Sequence, residues 1–273
     1  MAHENYLHSE VLTHEPADEM MLALHGLLGS HEYLRPVASE LEGDFEVTAL
    51  DLLGFGESPQ PEGLYTPDVH ADAVSAAVGS LALATEVPLT VVSHSLGAVV
   101  GLRFAAKNPL RVKNLVLIDM PIHRTEKEGY RLLRHATKLN WFMATKPGGR
   151  LLHTMLFERS KLAKRYAHRK FGPAIANDVD KHTFESFSQS LVGLIERPGG
   201  TLSDLQAVVD AGISATIIYG DKDRWVNQAS RDHLATLPGV RVHELSGDHH
   251  LPAASPKQVA NIIKQLRLGD NTS

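Results

Sequence analysis

The chain has 273 residues, enough for one large domain or one domain carrying an insert, and its lack of cysteine excludes disulfides, thiolate metal ligands and a cysteine nucleophile. No run of about eighteen apolar residues could cross a membrane, and the opening Met-Ala-His-Glu-Asn-Tyr lacks the basic-then-apolar pattern of a secretory signal, so a cytoplasmic protein is expected. The net charge of −5 is unevenly spread: residues 121 to 200 hold 15 Lys+Arg against 7 Asp+Glu (+8), leaving 12 against 25 (−13) elsewhere.

Taken in order, Tyr6 to Thr13 alternates loosely and predicts an edge strand, and Met20 to Leu24 predicts a short buried strand that stops at His25-Gly26. Glu32 to Leu41 carries Leu34, Val37, Ala38 and Leu41 at helical spacing, and Phe45 to Leu50 is the next strand, ending at Asp51. Thr66-Pro67 offers a capping hydroxyl followed by proline at the first helical position. Leu89 to Gly101 then runs from an apolar, β-branched strand through Ser93-His94-Ser95-Leu96-Gly97 into small residues at helical spacing. That pattern is a strand, a sharp turn with Ser95 at its apex, and a helix to Lys107. Asn114 to Ile118 is another buried strand.

The alternation breaks for about eighty residues. Tyr130 to Phe142, Arg150 to Phe157 and Val179 to Ile195 predict helices, punctuated by Pro147-Gly148-Gly149 and Pro198-Gly199-Gly200. Strands return at Ala215 to Tyr219 and Val240 to Leu245, a helix over Gln258 to Leu268 closes the chain, and Gly269 to Ser273 reads as a loose tail. The organisation expected is an α/β body over 1–120 and 201–273, interrupted by a basic helical insert at 121–200.

Repeated βα units imply a mostly parallel sheet with helices on both faces and ligands outside the carboxyl ends of its strands. The polar clusters sit there: His25-Gly26, Asp51, Ser93 to Ser95, Asp119, Asp221 to Asp223 and Asp248 to His250 each follow a proposed strand. A serine on a sharp turn is a poor nucleophile alone, so it needs a base, an orienting acid and an oxyanion site. Asp248-His249-His250 supplies two candidate bases, while Asp223 and Asp119 are candidate acids.

Those motifs, together with Asp51-Leu52-Leu53-Gly54-Phe55-Gly56-Glu57-Ser58, resemble the capped serine hydrolases of the α/β-hydrolase fold over nearly the whole chain. The resemblance implies an eight-stranded type of sheet, a helical cap, and a nucleophile–acid–base order of Ser95, Asp223 and His249, with Asp119 and His250 as alternatives. It also implies an oxyanion hole from the backbone N–H groups of Leu27 and Leu96. Ser93 departs from the family's Gly-X-Ser-X-Gly but is small. His25 is expected to hold its loop, and His94, Trp141, Phe142 and Trp225 are candidate pocket residues.

Ester hydrolysis, as in esterase-like members, is the activity implied. C–C cleavage or a lyase reaction of an anionic diketo or dicarboxylate substrate would suit the basic insert, and a non-catalytic ligand-binding homologue is a third possibility. The partner expected is a small-molecule acyl substrate bound by a monomer or homodimer. No nucleic-acid module, no cofactor motif and no metal-ligand spacing such as His-X-X-X-His is seen.

Overall fold

A computed structural model describes residues 6–81, 88–158, 162–171, 173–197, 200–226 and 228–269. The first five residues, the Pro198-Gly199 breaker and the tail beyond Gly269 lie outside the described residues.

Seven strands form one sheet: β1 (Ser9–Val11), β2 (Met20–Leu24), β3 (Glu46–Leu50), β4 (Leu89–His94), β5 (Val112–Ile118), β6 (Ser214–Gly220) and β7 (Val240–Leu245). Their spatial order is β1-β3-β2-β4-β5-β6-β7, and every pairing is parallel except β1 on β3. An eight-stranded type of sheet was expected; the described residues hold seven strands, with the short β1 covering one edge.

Alternate side chains leave the sheet on opposite faces. Leu22, Leu24, Val91, Leu115, Leu117 and Ile217 pack with α2 (Pro67–Ser80), α3 (Leu96–Lys107), α10 (Gly200–Asp210) and α11 (Gln228–Ala235). Met21, Ala23, Val92, Val116 and Ile118 pack with α1 (Arg35–Ser39), the short α12 (Leu251–Ala254) and α13 (Pro256–Gly269). Central strands are therefore mostly apolar because both faces are covered.

Between β5 and β6 the chain forms α4 (Glu126–Ala136), α5 (Lys138–Thr145), α6 (Gly149–His153), α7 (Leu162–Phe171), α8 (Pro173–Asp178) and α9 (Phe184–Ile195) ahead of α10. Leu133, Met143, Phe187, Leu191 and Ile195 make a separate apolar cluster there, against which Leu27, Leu28 and Trp225 of the body pack. The segment is tied down by Ser30 Oγ donating to Asp178, by Lys181 between Asp178 and Glu57, and by a bridge from Phe55 to His182.

Several helix boundaries differ from the sequence reading. Glu32 to Leu41 is a 3-10 turn over His31–Leu34 followed by α1, with Ser30 capping the turn and Pro36 fitting the first turn of α1. Tyr130 to Phe142 is split at Thr137, whose extended backbone ends α4 and starts α5. Arg150 to Phe157 begins as α6 and widens into a π-type turn over Thr154–Glu158. The helix expected from Val179 begins only at Phe184, where Thr183 and Ser186 form a reciprocal capping box.

Candidate active site

Ser95 stands between β4 and α3 with φ 53° and ψ −116°, a conformation that costs a non-glycine residue about 1–3 kcal/mol and persists only when its surroundings enforce it. They do so by close packing. A Cβ on Gly97 would lie 2.3 Å from the His25 carbonyl oxygen and 2.7 Å from that of Leu24, so α3 can approach β2 only with glycine there. Gly101 makes room for Ser93, whose buried hydroxyl donates to the Val116 carbonyl, and a serine fits where the family's first glycine stands.

Ser95 Oγ lies 2.8 Å from His249 Nε2, and His249 Nδ1 lies 3.0 Å from Asp223 Oδ2. A carboxylate only accepts, so Nδ1 carries the proton and Nε2 is left to accept from the serine hydroxyl. Asp223 follows β6 on a turn closed by its N–H to the Gly220 carbonyl. Its Oδ1 accepts from Trp225 N, and the buried Arg231 guanidinium donates to the carbonyls of Gly220 and Asp223, which fixes the turn.

The two partners have displaced pKa values. Burial disfavours the charge on His249, yet the adjacent Asp223 more than offsets this and raises it above the usual 6.5. For Asp223 burial works upward, and the His249 charge and hydrogen bond, with Trp225 N–H and Arg231, bring the net value below the usual 3.8. The pair favours an imidazolium–carboxylate state, the state a proton-accepting histidine passes through.

Asp119 ends β5 beside this pair at φ 50°, fully buried. Its Oδ1 accepts from Gly220 N, and Leu251 N points at Oδ2 from 3.4 Å. Burial and the Asp223 charge, opposed by His249, push it up to about 7. The structure thus brings both candidate acids to His249, with Asp223 on the Nδ1 hydrogen bond.

The loop after β2 lies against the serine: a Cβ on Gly26 would come within 3.1 Å of Ser95 Cβ. Leu27 follows in this loop, Leu28 takes φ 63°, and Leu96 is the first residue of α3, where an N–H has no partner inside its helix. His25 braces the loop, donating from Nδ1 to the Gly26 carbonyl and accepting at Nε2 from Leu52 N. Asp51 accepts from the backbone N–H groups of His31 and Glu57 and from His31 Nδ1, and its value falls to about 2 because these donors and the nearby His25 outweigh the cost of burial.

The candidate pocket residues sit in different surroundings. His94 is buried: its Nε2 donates to the His249 carbonyl at 2.9 Å and its ring stacks on Tyr33. Tyr33 in turn bonds His250 Nδ1 through its hydroxyl, so His250 takes part in the support of the loop. Phe142 points outward, 38% exposed, because the inward position on α5 is Met143. Trp141 packs against the inner cluster with Arg134 and Lys146 5.1 and 4.6 Å from its ring centre, and Trp225 lies by the site, its ring 5.6 Å from that of His249. Sequence reasoning missed Tyr33 and Leu28; the signal for neither is local, since both act through partners from distant parts of the chain.

Two groups of side chains among the described residues bring three potential metal-ligating atoms within 4.8 Å: His8, His31 and Asp51, and Asp119, Asp223 and His249. In both, the carboxylates are already engaged by N–H donors.

A model of a family described as the alpha/beta hydrolase family matches residues 21–262. The chain is 28% identical over 268 residues to a protein of Arabidopsis thaliana named "Probable lysophospholipase BODYGUARD 4", covering 88% of this chain but only 61% of that relative's length. It is also 28% identical over 262 residues to the 2-(acetamidomethylene)succinate hydrolase of Mesorhizobium japonicum, covering 89% of this chain and 87% of the relative. Among solved structures it superposes on a thermophilic esterase from Thermogutta terrifontis with TM-score 0.72 at 21% identity, over 96% of this chain and 93% of the other, a likeness of fold.

Proposed function

This chain belongs to the alpha/beta hydrolase family, and from that premise we propose that it is a serine hydrolase that cleaves a carboxylic ester through an acyl-enzyme on Ser95. The observation that carries the reading is the unbroken hydrogen-bonded line from Ser95 Oγ through His249 to Asp223.

Ser95 Oγ attacks the carbonyl carbon while His249 Nε2 takes its proton, and the carbonyl electron pair moves onto oxygen. The N–H groups of Leu27 and Leu96 hold that oxyanion, each such donor being worth about 10²–10³ in rate. His249 then gives its proton to the departing alkoxide oxygen, leaving the acyl-serine. Water repeats the sequence: it loses a proton to His249, attacks the acyl carbon, and releases the acid as the proton returns to Ser95. Asp223 orients the ring and stabilises the imidazolium throughout. The helical segment 121–200 serves as a cap whose inner cluster, with Leu27, Leu28 and Trp225, gives the acyl group an apolar wall.

A second reading is hydrolysis of an anionic dicarboxylate-type substrate, favoured by the likeness to a succinate-derivative hydrolase. Labelling with a fluorophosphonate tests the shared chemistry: wild type is expected to label and Ser95→Ala is not, and an unlabelled, folded wild type overturns the assignment. A panel of neutral short-chain esters against carboxylate-bearing acyl compounds then separates the two substrate classes.

A further inference from the structure

We propose that the outer face of α5 and the neighbouring α6 is a docking surface for an anionic phospholipid bilayer.

Of the large apolar side chains that are exposed among the described residues, four fall within one short stretch: Leu139 at 49%, Phe142 at 38%, Leu151 at 66% and Met155 at 55%. On α5, Lys138 and Phe142 stand one turn apart, with Lys146 just beyond the helix, while Met143 faces the inner cluster.

Most of the cations around this patch face no carboxylate. Among the described residues none pairs with the side chains of Lys127, Arg131, Arg134, Lys138 or Lys146, while Arg150 on α6 is paired with Glu185. The +8 excess of residues 121–200 against −13 elsewhere gives the molecule a basic pole around an apolar centre. A symmetric contact with a second copy would set these cations against themselves, while an anionic bilayer neutralises them and takes up the apolar side chains together.

Co-sedimentation with vesicles of phosphatidylcholine alone and of mixed phosphatidylcholine and phosphatidylglycerol tests this, in wild type and in the Ser95→Ala protein so that binding is read without turnover. Both proteins are expected to bind the mixed vesicles and not the neutral ones, and to release in high salt. Lys138→Glu with Lys146→Glu, and separately Leu139→Asp with Leu151→Asp, should each lower the bound fraction by about tenfold while retaining wild-type turnover of a soluble short-chain ester. No binding to the mixed vesicles, equal binding to neutral vesicles, or loss of a self-association equilibrium as the main effect of these variants overturns the proposal.

Discussion

Asp223 and Asp119 present the same chemical group to one histidine with pKa values displaced in opposite directions. Asp223 is held ionised by the ring it touches, whereas Asp119 is raised to about 7 and receives backbone N–H groups without a direct bond to His249. Asp223→Asn should therefore lower kcat by about 10⁴ with little change in KM, because the amide favours the wrong tautomer of the ring. Asp119→Asn leaves the Asp223 hydrogen bond to the ring in place and should cost less than about tenfold. Steady-state kinetics on a neutral ester checks both, and the reverse ranking would move the acid to Asp119. The base works only when neutral, so kcat/KM should rise with pH through the raised His249 value, with its midpoint above 6.5. Asp119→Asn should shift that midpoint down, since the Asp119 charge is one of the groups that raises it. The placement of Ser95, Asp223 and His249 just beyond β4, β6 and β7 was legible as an ordered set of motifs. The supporting role of His94 was not, because it depends on Tyr33 stacking from a turn sixty-one residues away in the chain.

Elements whose apolar pattern answers to one well-defined face were readable. β2, β4, β5 and β6 are buried on both faces and appear as short apolar runs, and α3 follows its strand with the small residues that let it approach β2. Helices α7 and α8 carry no such stripe in a basic, polar stretch and were not anticipated; α8 is fixed by Asp178 reaching Ser30, a contact between distant residues. The start of α9 was misplaced for a similar reason, because His182 is drawn away from helix by its bridge to Phe55 and its bond to His153. The contact of α3 with β2 also allows a sharp test. Gly97→Ala would drive a methyl into two backbone carbonyl oxygens that no rotamer change can relieve, so α3 must move and Ser95 with it. The expected loss is about 1–3 kcal/mol of stability together with a fall in kcat, read by thermal unfolding and ester kinetics. An unchanged kcat would mean that the serine turn is positioned independently of α3.

Across the whole molecule, sixteen histidines sit in a cysteine-free chain, and their burial sets its response to acid. His25, His70, His94 and His182 are buried and held neutral, their values lowered first of all by desolvation, to about 3 for His70 and for His182. The unfolded chain binds these protons at about pH 6.5, so below that pH it holds more protons than the fold does. Stability then falls as pH falls, by about 1.4 kcal/mol per pH unit for each such histidine. His31 and His249, with raised values, act in the other direction: their contribution is complete below pH 6.5 and is lost as pH rises through their folded values. They therefore do nothing to relieve the acid slope, and Asp51, at about 2, adds its own loss only below about pH 4. By about pH 4.5, His70 and His182 alone should have removed about 5 kcal/mol, a large part of the 5–15 kcal/mol (about) that holds a typical domain together. Urea unfolding followed by circular dichroism should show the midpoint dropping steeply between pH 7 and pH 5. His70→Gln, which can keep a hydrogen bond to Ser190 Oγ, should flatten that slope by about 1.4 kcal/mol per pH unit even where it lowers stability at neutral pH. A midpoint independent of pH over this range would mean that the buried rings take up protons inside the fold, and with it that the pairing of His153 with His182 and the bond from His70 to Ser190 do not hold them neutral.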